Sequence, residues 1–345
     1  MKIAVLTGGG DCPGLNAVIR AVVRRANAYG FEVMGMRNGW RGLIDDDHFR
    51  LTRDATSGIL PRGGTILGTS RTNPFKEPGG LEKVFKTVER HKIGAVIAIG
   101  GEGTLSASTR MHQEGLKIVG VPKTIDNDLG GTDFTFGFDT AVTVATEAID
   151  RLHSTAEAHS RVIVCEVMGR HVGWIATYAG IAGGADVILV PEHPVDLESV
   201  ALHIKRRHMS GRTFSIVVVA EGTLIKRRPG DQEQLVTSGK LDEAGRPRLG
   251  GIGALVAEEI EKRTGIETRF SVLGHMQRGG SPTPYDRVLA TRYGVYACDM
   301  VSRGEWGKMA ALRGNEIVSV DLADATRELK RVPDSFFEVA QVFFG

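Results

Sequence analysis

Cysteine is scarce in this chain. Only Cys12, Cys165 and Cys298 occur in 345 residues, an odd and widely spaced set that excludes a disulfide scaffold or a cysteine metal module and points to a reduced compartment. Long apolar runs are missing as well: none approaches the ~18 residues of a membrane span, and no charged-then-apolar leader precedes the opening MKIAVLTGG. The expectation is a soluble, cytoplasmic protein. There is no excess of charge of one sign, with 43 Lys and Arg against 41 Asp and Glu, so nothing supports binding to nucleic acid or an anionic membrane through bulk charge. Repeats at solenoid periods are absent, as are the dinucleotide fingerprint with its ribose-binding acid and the Gly-Lys-Ser/Thr of a Walker loop.

Glycine, by contrast, is abundant. The 45 glycines are close to twice the ~7% usage of an average chain, and they cluster in doublets after apolar runs, as tight strand-to-helix turns require. Strands are predicted over 2–6, 32–36, 95–99, 118–121, 161–167, 185–190, 216–220 and 267–273, those at 2–6 and 118–121 buried. Helices are predicted over 15–28, 81–91, 106–114, 139–153, 197–208, 253–264 and 286–303. Residues 38–51 read as a polar connection, 226–251 as a long surface connection, and 316–345 as a short strand with two weak helical patterns. Strands alternating with helices imply βαβ units and an α/β fold with mainly parallel sheets, in two halves divided near residue 138.

Function is legible in where the polar residues fall. Six strand ends carry glycine with charged or hydroxyl residues: 7–14, 100–104, 122–128, 168–171, 221–223 and 274–280. Turn chemistry explains one such end more easily than six. The densest stretch is KIVGVPKTIDNDLGG, Lys117 to Gly131, in which Lys123, Thr124, Asp126, Asn127 and Asp128 follow an apolar strand. That is where open α/β sheets build ligand crevices. If the segment stays extended, Asp126 and Asp128 share one side, and two adjacent carboxylates need different partners, such as a substrate hydroxyl and a divalent cation; a loop of Asn and Asp turns is the plainer reading. In Gly100-Gly101-Glu102-Gly103-Thr104, glycine lets phosphates approach the backbone and Glu102 offers an oxygen to a metal ion. A helix start with an acid favoured by its dipole is the alternative.

Together TGGGDCPGLN, RGGTILGTSR, IGGEGT, PKTIDND, VMGR, AEGT and LGHMQRGG, in this order over nearly the whole chain, resemble the ATP-dependent 6-phosphofructokinase family, in its mixed-substrate, actinobacterial-like subgroup. The resemblance implies two Rossmann-like doubly wound domains with the active site in the cleft between them. Residues 1–137 with about 276–327 would bind ATP, and residues 138–275 with about 328–345 fructose 6-phosphate. It places ATP against Gly9, Gly10, Arg71, Thr72 and the loop Gly101, Glu102, Gly103 and Thr104, with Glu102 and Asp128 at Mg2+. It places the sugar on Thr124, Ile125, Asp126, Met168, Gly169, Arg170 and Glu221, with its phosphate held by Arg161, Arg269, His275 and Arg278, and counts Met276 and Gln277 among the substrate-binding residues. Arg161 and Arg269 would come from a neighbouring subunit, so a homodimer or homotetramer is implied. Asp126 would be the general base, and Thr124, Arg71 and Arg170 would stabilise the phosphoryl group in flight.

Three positions depart from the common bacterial ATP enzymes. Glu102 stands where they have Asp. Gly103 and Lys123 decide the phosphoryl donor: pyrophosphate-using relatives carry an acid at the first and a lysine at the second, and the common ATP enzymes have small residues at both, so this chain is mixed. An acid at 103 would meet the α-phosphate of ATP, and glycine leaves it room; ATP is therefore the expected donor, with pyrophosphate the alternative. Arg20, Arg24, Arg53 and Arg212 suit an allosteric nucleotide, but His153 lies where an arginine is expected. NAD and lipid kinases share a GGDGT loop but not LGHMQRGG, and a non-catalytic sugar phosphate-binding subunit would be expected to have lost Asp126.

Overall fold

The computed structural model describes residues 1–226, 232–241 and 247–344. In chain order the first elements are β1 (Lys2–Gly8), α1 (Leu15–Ala28), β2 (Glu32–Met36), α2 (Trp40–Asp45), β3 (His48–Leu51), α3 (Gly80–His91), β4 (Ile93–Gly100), α4 (Glu102–Gln113) and β5 (Ile118–Pro122). There follow α5 (Phe138–Ala158), β6 (Val162–Val167), α6 (Trp174–Ala182), β7 (Val187–Leu189), β8 (Val195–Asp196), α7 (Leu197–Met209), β9 (Ser215–Ala220), β10 (Leu224–Lys226), β11 (Gln234–Leu235), β12 (Thr237–Leu241) and β13 (Pro247–Leu249). The chain ends through α8 (Ile252–Thr264), β14 (Thr268–Val272), a 3-10 turn (Gly274–Arg278), α9 (Pro284–Arg303), β15 (Lys308–Arg313), β16 (Glu316–Asp321), α10 (Leu322–Ala325) and α11 (Asp334–Gln341).

Three expectations need correction. Residues 38–51 are not a polar connection: Trp40, Leu43 and Ile44 are buried, which makes α2, and β3 pairs antiparallel with β2. The α4 helix starts at Glu102, not Ser106, because Thr104 and Leu105 already pack inward and the glycines before them form the helix entrance. The 226–251 connection contains β11, β12 and β13, short strands with polar residues; its residues 227–231 and 242–246 lie outside the described residues.

The chain divides into two compact units, Met1–Thr140 with Arg278–Leu329 and Ala141–Gln277 with Lys330–Gly345. The first holds a seven-stranded sheet in the order β16-β15-β5-β4-β1-β2-β3. Its inner strands are parallel and apolar because both faces are covered. Ala4, Leu6, Val96 and Ala98 join one core with Trp40, Val84, Leu105 and Met111 from α2, α3 and α4, while the alternate set, Ile3, Val5, Ile97 and Ile99, is equally buried. Helices α1 and α9 pack so closely that a Cβ on Gly294 would lie 2.7 Å from the carbonyl oxygen of Val18. From β1 the chain goes to β2 on one side and returns through β4 on the other, so the carboxyl ends of β1 and β4 form a topological switch point, where open α/β sheets bind ligands.

The second unit is built on the parallel sheet β14-β6-β9-β7. Val162, Val164, Val217 and Val219 pack with Leu197, Val200 and Ile204 of α7 and Ile252 and Val256 of α8. The C-terminal segment is tied in by polar contacts: Trp174 Nε1 donates to the Lys330 carbonyl at 2.8 Å, and the Val332 amide donates to Glu192 at 3.1 Å.

The amino end of α5 is satisfied by a carboxylate from α9. Asp286 accepts from the Gly137 amide (2.9 Å), the Thr140 amide (2.8 Å) and the Thr140 hydroxyl (2.6 Å), and burial pushes its pKa up to about 6 despite these bonds. Asp286→Ala would leave three buried donors without an acceptor, so it should destabilise the protein by about 2–3 kcal/mol. Denaturant unfolding checks this; a midpoint within error of the parent would mean that water replaces the carboxylate at no cost.

Candidate active site

Three of the six polar strand ends lie in the first unit, and named contacts bring them together. The turn after β1 is joined to the 65–72 loop by the Gly9 amide on the Ser70 carbonyl (2.9 Å), the Thr69 hydroxyl on the Gly9 carbonyl (2.6 Å) and the Thr7 hydroxyl on the Gly68 carbonyl (2.7 Å). Asn16, buried in α1, supports the loop from below: its Oδ1 accepts from the Ile66 amide at 2.9 Å, and its Nδ2 donates to the Arg62 carbonyl at 3.1 Å. Sequence reasoning missed Asn16 and Thr7. The signal was there for Asn16, a polar residue at a buried position of an otherwise apolar helical pattern. Arg71 is exposed beside this staple, and Thr72 donates its amide to Ser70 Oγ at 3.3 Å.

The glycines at the ends of β1 and β4 have different uses. A Cβ on Gly8 would lie 2.5 Å from Thr104 Oγ1, and one on Gly100 would overlap the same side chain. These two glycines therefore exist for packing, and Thr104, 7% exposed, is the residue they accommodate. At Gly103, in the first turn of α4, an added Cβ would meet nothing within 4 Å. Protein packing does not explain that glycine, and it sits with exposed Glu102 at a helix N-terminus, whose free amides and dipole favour an anion.

The 122–128 segment is held by its neighbours and is not extended. Asn127 adopts a left-handed conformation, φ 51°, so the period-2 argument that put Asp126 and Asp128 on one side does not apply. Its buried side chain anchors the turn, with Oδ1 accepting from the Thr135 amide at 3.0 Å, while Thr135 Oγ1 donates to the Thr124 carbonyl at 2.7 Å. Thr124 Oγ1 accepts the Asp126 amide at 3.1 Å. Ile125 is wholly buried, so only its backbone can face a ligand. Asp128 Oδ1 is buried and has no hydrogen-bond partner among the described residues. Oxygen donors of this kind suit Mg2+, and the residues present fit such an ion. Lys123 is turned inward at 3% exposure and donates to the Gly10 carbonyl. Burial lowers its pKa, with Asp11 and Asp128 among the groups acting the other way. Arg278 leans on the same turn, donating to the Asp11 carbonyl at 3.2 Å.

In the second unit the other strand ends follow β6, β9 and β14, adjacent in the sheet. Gln277, expected at the substrate, is fully buried; it accepts the Met168 amide at 3.3 Å and donates to the Gly274 carbonyl at 3.2 Å, so its side chain joins two loops. The Glu221 amide donates to the Val167 carbonyl (2.9 Å) and the Gly222 amide to that of Gly169 (3.0 Å). A Cβ on Gly222 would overlap the Arg170 carbonyl, which explains the glycine of AEGT. His275 and Met276 are exposed, and Arg170 and Glu221 are partly so. Arg161 and Arg269 are not in this group. Arg161 precedes β6 and Arg269 is near the start of β14, where both approach Glu267 at 3.4 and 2.7 Å. The length of β6 separates Arg161 from Met168 within one chain by about 20 Å. In the effector set, a His153 ring nitrogen is bonded to the Gly183 carbonyl at 2.6 Å. The three cysteines are buried, and burial pushes each thiol up to about 12, which makes them unreactive.

Known proteins resemble this chain over its whole length. The family model described as phosphofructokinase matches residues 2–301. The chain is 56% identical over 346 residues to a pyrophosphate–fructose 6-phosphate 1-phosphotransferase of Amycolatopsis methanolica, and 53% identical over 347 residues to an ATP-dependent 6-phosphofructokinase of Mycobacterium tuberculosis, with all of each chain covered. Among solved structures, the T-state phosphofructokinase of Pichia pastoris aligns with a TM-score of 0.81 at 32% identity, over 99% of this chain and 36% of that longer one. A match of this extent, with relatives more than half identical from end to end, means that the chain belongs to the phosphofructokinase family.

Proposed function

We propose that this protein transfers the γ-phosphoryl group of ATP to the 1-hydroxyl of fructose 6-phosphate, with Mg2+, giving fructose 1,6-bisphosphate and ADP in the cytoplasm. The observation that carries the choice of donor is the open space at Gly103: none of the described residues comes within 4 Å of a Cβ there, and a nucleotide phosphate at the start of α4 needs that space. Gly9, Gly10, Arg71, Thr72 and the 101–104 turn bind the nucleotide. Met168, Gly169, Arg170, Glu221 and His275 bind the sugar phosphate. Asp126 takes the hydroxyl proton, and Thr124, Arg71 and Arg170 offset charge on the transferring group, which is positioning and electrostatics rather than covalent catalysis. Glu102 and Asp128 would hold Mg2+, which when bound neutralises phosphate charge.

The separation of Arg161 and Arg269 from the 168–171 and 274–278 loops supports a homodimer or homotetramer, in which a neighbouring chain supplies these two arginines to the sugar's phosphate. Pyrophosphate is the second reading. Lys123 favours it, and relatives of both donor types are about equally similar to this chain. Yet Lys123 is buried on the Gly10 carbonyl, where it takes no space from a nucleotide. Turnover with each donor at saturating fructose 6-phosphate is the test. At least tenfold faster turnover with ATP is expected, and faster turnover with pyrophosphate would reverse the assignment.

A further inference from the structure

Away from every loop so far described, three donor atoms from three elements of the first unit converge on one point. Asp46 caps α2 in a left-handed conformation, φ 59°; His48 opens β3; and His91 is the last residue of α3. His91 Nε2 is 2.7 Å from Asp46 Oδ1, His48 Nε2 is 3.4 Å from the same oxygen, and the two Nε2 atoms are 3.2 Å apart. The three side chains are 23–24% exposed, so the point is sheltered but reachable from solvent.

Two of the three spacings suit a shared metal ion. Zinc bonds of about 2.0–2.1 Å in tetrahedral geometry put neighbouring donor atoms about 3.3 Å apart, close to the 3.4 and 3.2 Å edges; the 2.7 Å edge between His91 and Asp46 is a hydrogen-bond length, which ion binding widens by about 0.6 Å. A proton can join His91 to Asp46, but it leaves His48 Nε2 facing a second ring nitrogen. A proton on both rings aims two N–H groups at one oxygen. Arg90 holds the other carboxylate oxygen, with NH1 at 2.5 Å from Oδ2; this leaves Oδ1 turned to the imidazoles, as an outer partner orients a ligating carboxylate. The two imidazoles suit zinc-class ions and not Mg2+, so the ion differs in kind from the one proposed at Glu102 and Asp128.

We propose that Asp46 Oδ1, His48 Nε2 and His91 Nε2 are the protein ligands of a divalent zinc-class ion that ties the end of α3 to the α2–β3 turn. The fourth position faces solvent and takes water, and the role is structural, since no residue assigned to phosphoryl transfer belongs to the cluster.

The test uses the full chain, treated with chelator and free of nucleotide and sugar. Zn2+ is titrated against a competing chromophoric chelator, and Co2+ is followed in parallel by its visible absorption. One Zn2+ per chain and an intense tetrahedral-type Co2+ spectrum are expected. His48→Gln and His91→Gln should each weaken binding by about 10²-fold or more, since loss of an outer partner alone costs 10–100-fold, and Mg2+-dependent turnover should be unchanged in both. Circular dichroism identifies the folded variants, and Asp46→Asn provides a third. The proposal is overturned if the parent chain takes up no stoichiometric Zn2+, or if folded variants bind it as the parent does.

Discussion

Asp126→Asn is expected to leave fructose 6-phosphate binding within a few fold while turnover falls by about 10²-fold or more, the size of a general-base contribution. Asn keeps the shape of the side chain and loses its basicity. The turn should survive the change, because it is held by the Asp126 amide on Thr124 Oγ1 and by the buried Asn127 and Thr135 pair, none of which uses the Asp126 carboxylate. A loss confined to turnover marks a group that acts in the transition state rather than in binding. Steady-state kinetics together with direct binding of the sugar phosphate make the measurement. Undiminished turnover would remove Asp126 from the role of base, and equal losses in binding and turnover would make it a substrate anchor.

Gly103→Asp should have an effect of similar size on one donor only. The position is open, so the fold accepts a side chain there without displacement. What changes is charge: a carboxylate about 4 Å from a phosphate oxygen, at an effective dielectric near 20, repels it by about 4 kcal/mol, and partial screening still leaves about 10²-fold. ATP-dependent turnover should fall by that amount, with pyrophosphate-dependent turnover equal or higher, because pyrophosphate has no α-phosphate at that place. Parallel loss with both donors would show that residue 103 acts on something the two donors share. An unchanged ATP rate would mean that the nucleotide lies elsewhere.

The residue-level signals differ in how far they reach. Strand and helix identity was readable wherever apolar periodicity was long, as in β1, β4 and α9, because burial on both faces or on one stripe imposes it directly. It failed at α2 and β3, where a short helix and an edge strand carry Arg and Asp beside the buried Trp40, Leu43 and Ile44, and at α4, whose glycine-rich first turn looks like a loop. The extended reading of 122–128 failed for a local reason, since Asn is among the few residues that tolerate a left-handed conformation and nothing in the string shows which Asn adopts it. Gln277 stands in LGHMQRGG, which points to the substrate, yet its side chain bridges two loops. A motif records that a residue is needed and not which neighbour needs it.

From the order of residues alone came the α/β class, the six polar strand ends and the family, because each depends on local pattern along the chain. Which polar groups meet was decided only by the folded arrangement. Lys123 turns in to the Gly10 carbonyl, 113 positions away in sequence; Arg161 lies a strand's length from Met168; and Asp46, His48 and His91 converge from separate elements. These are contacts across the sheet and between helices, where side-chain direction and strand order, rather than spacing in sequence, set the distances.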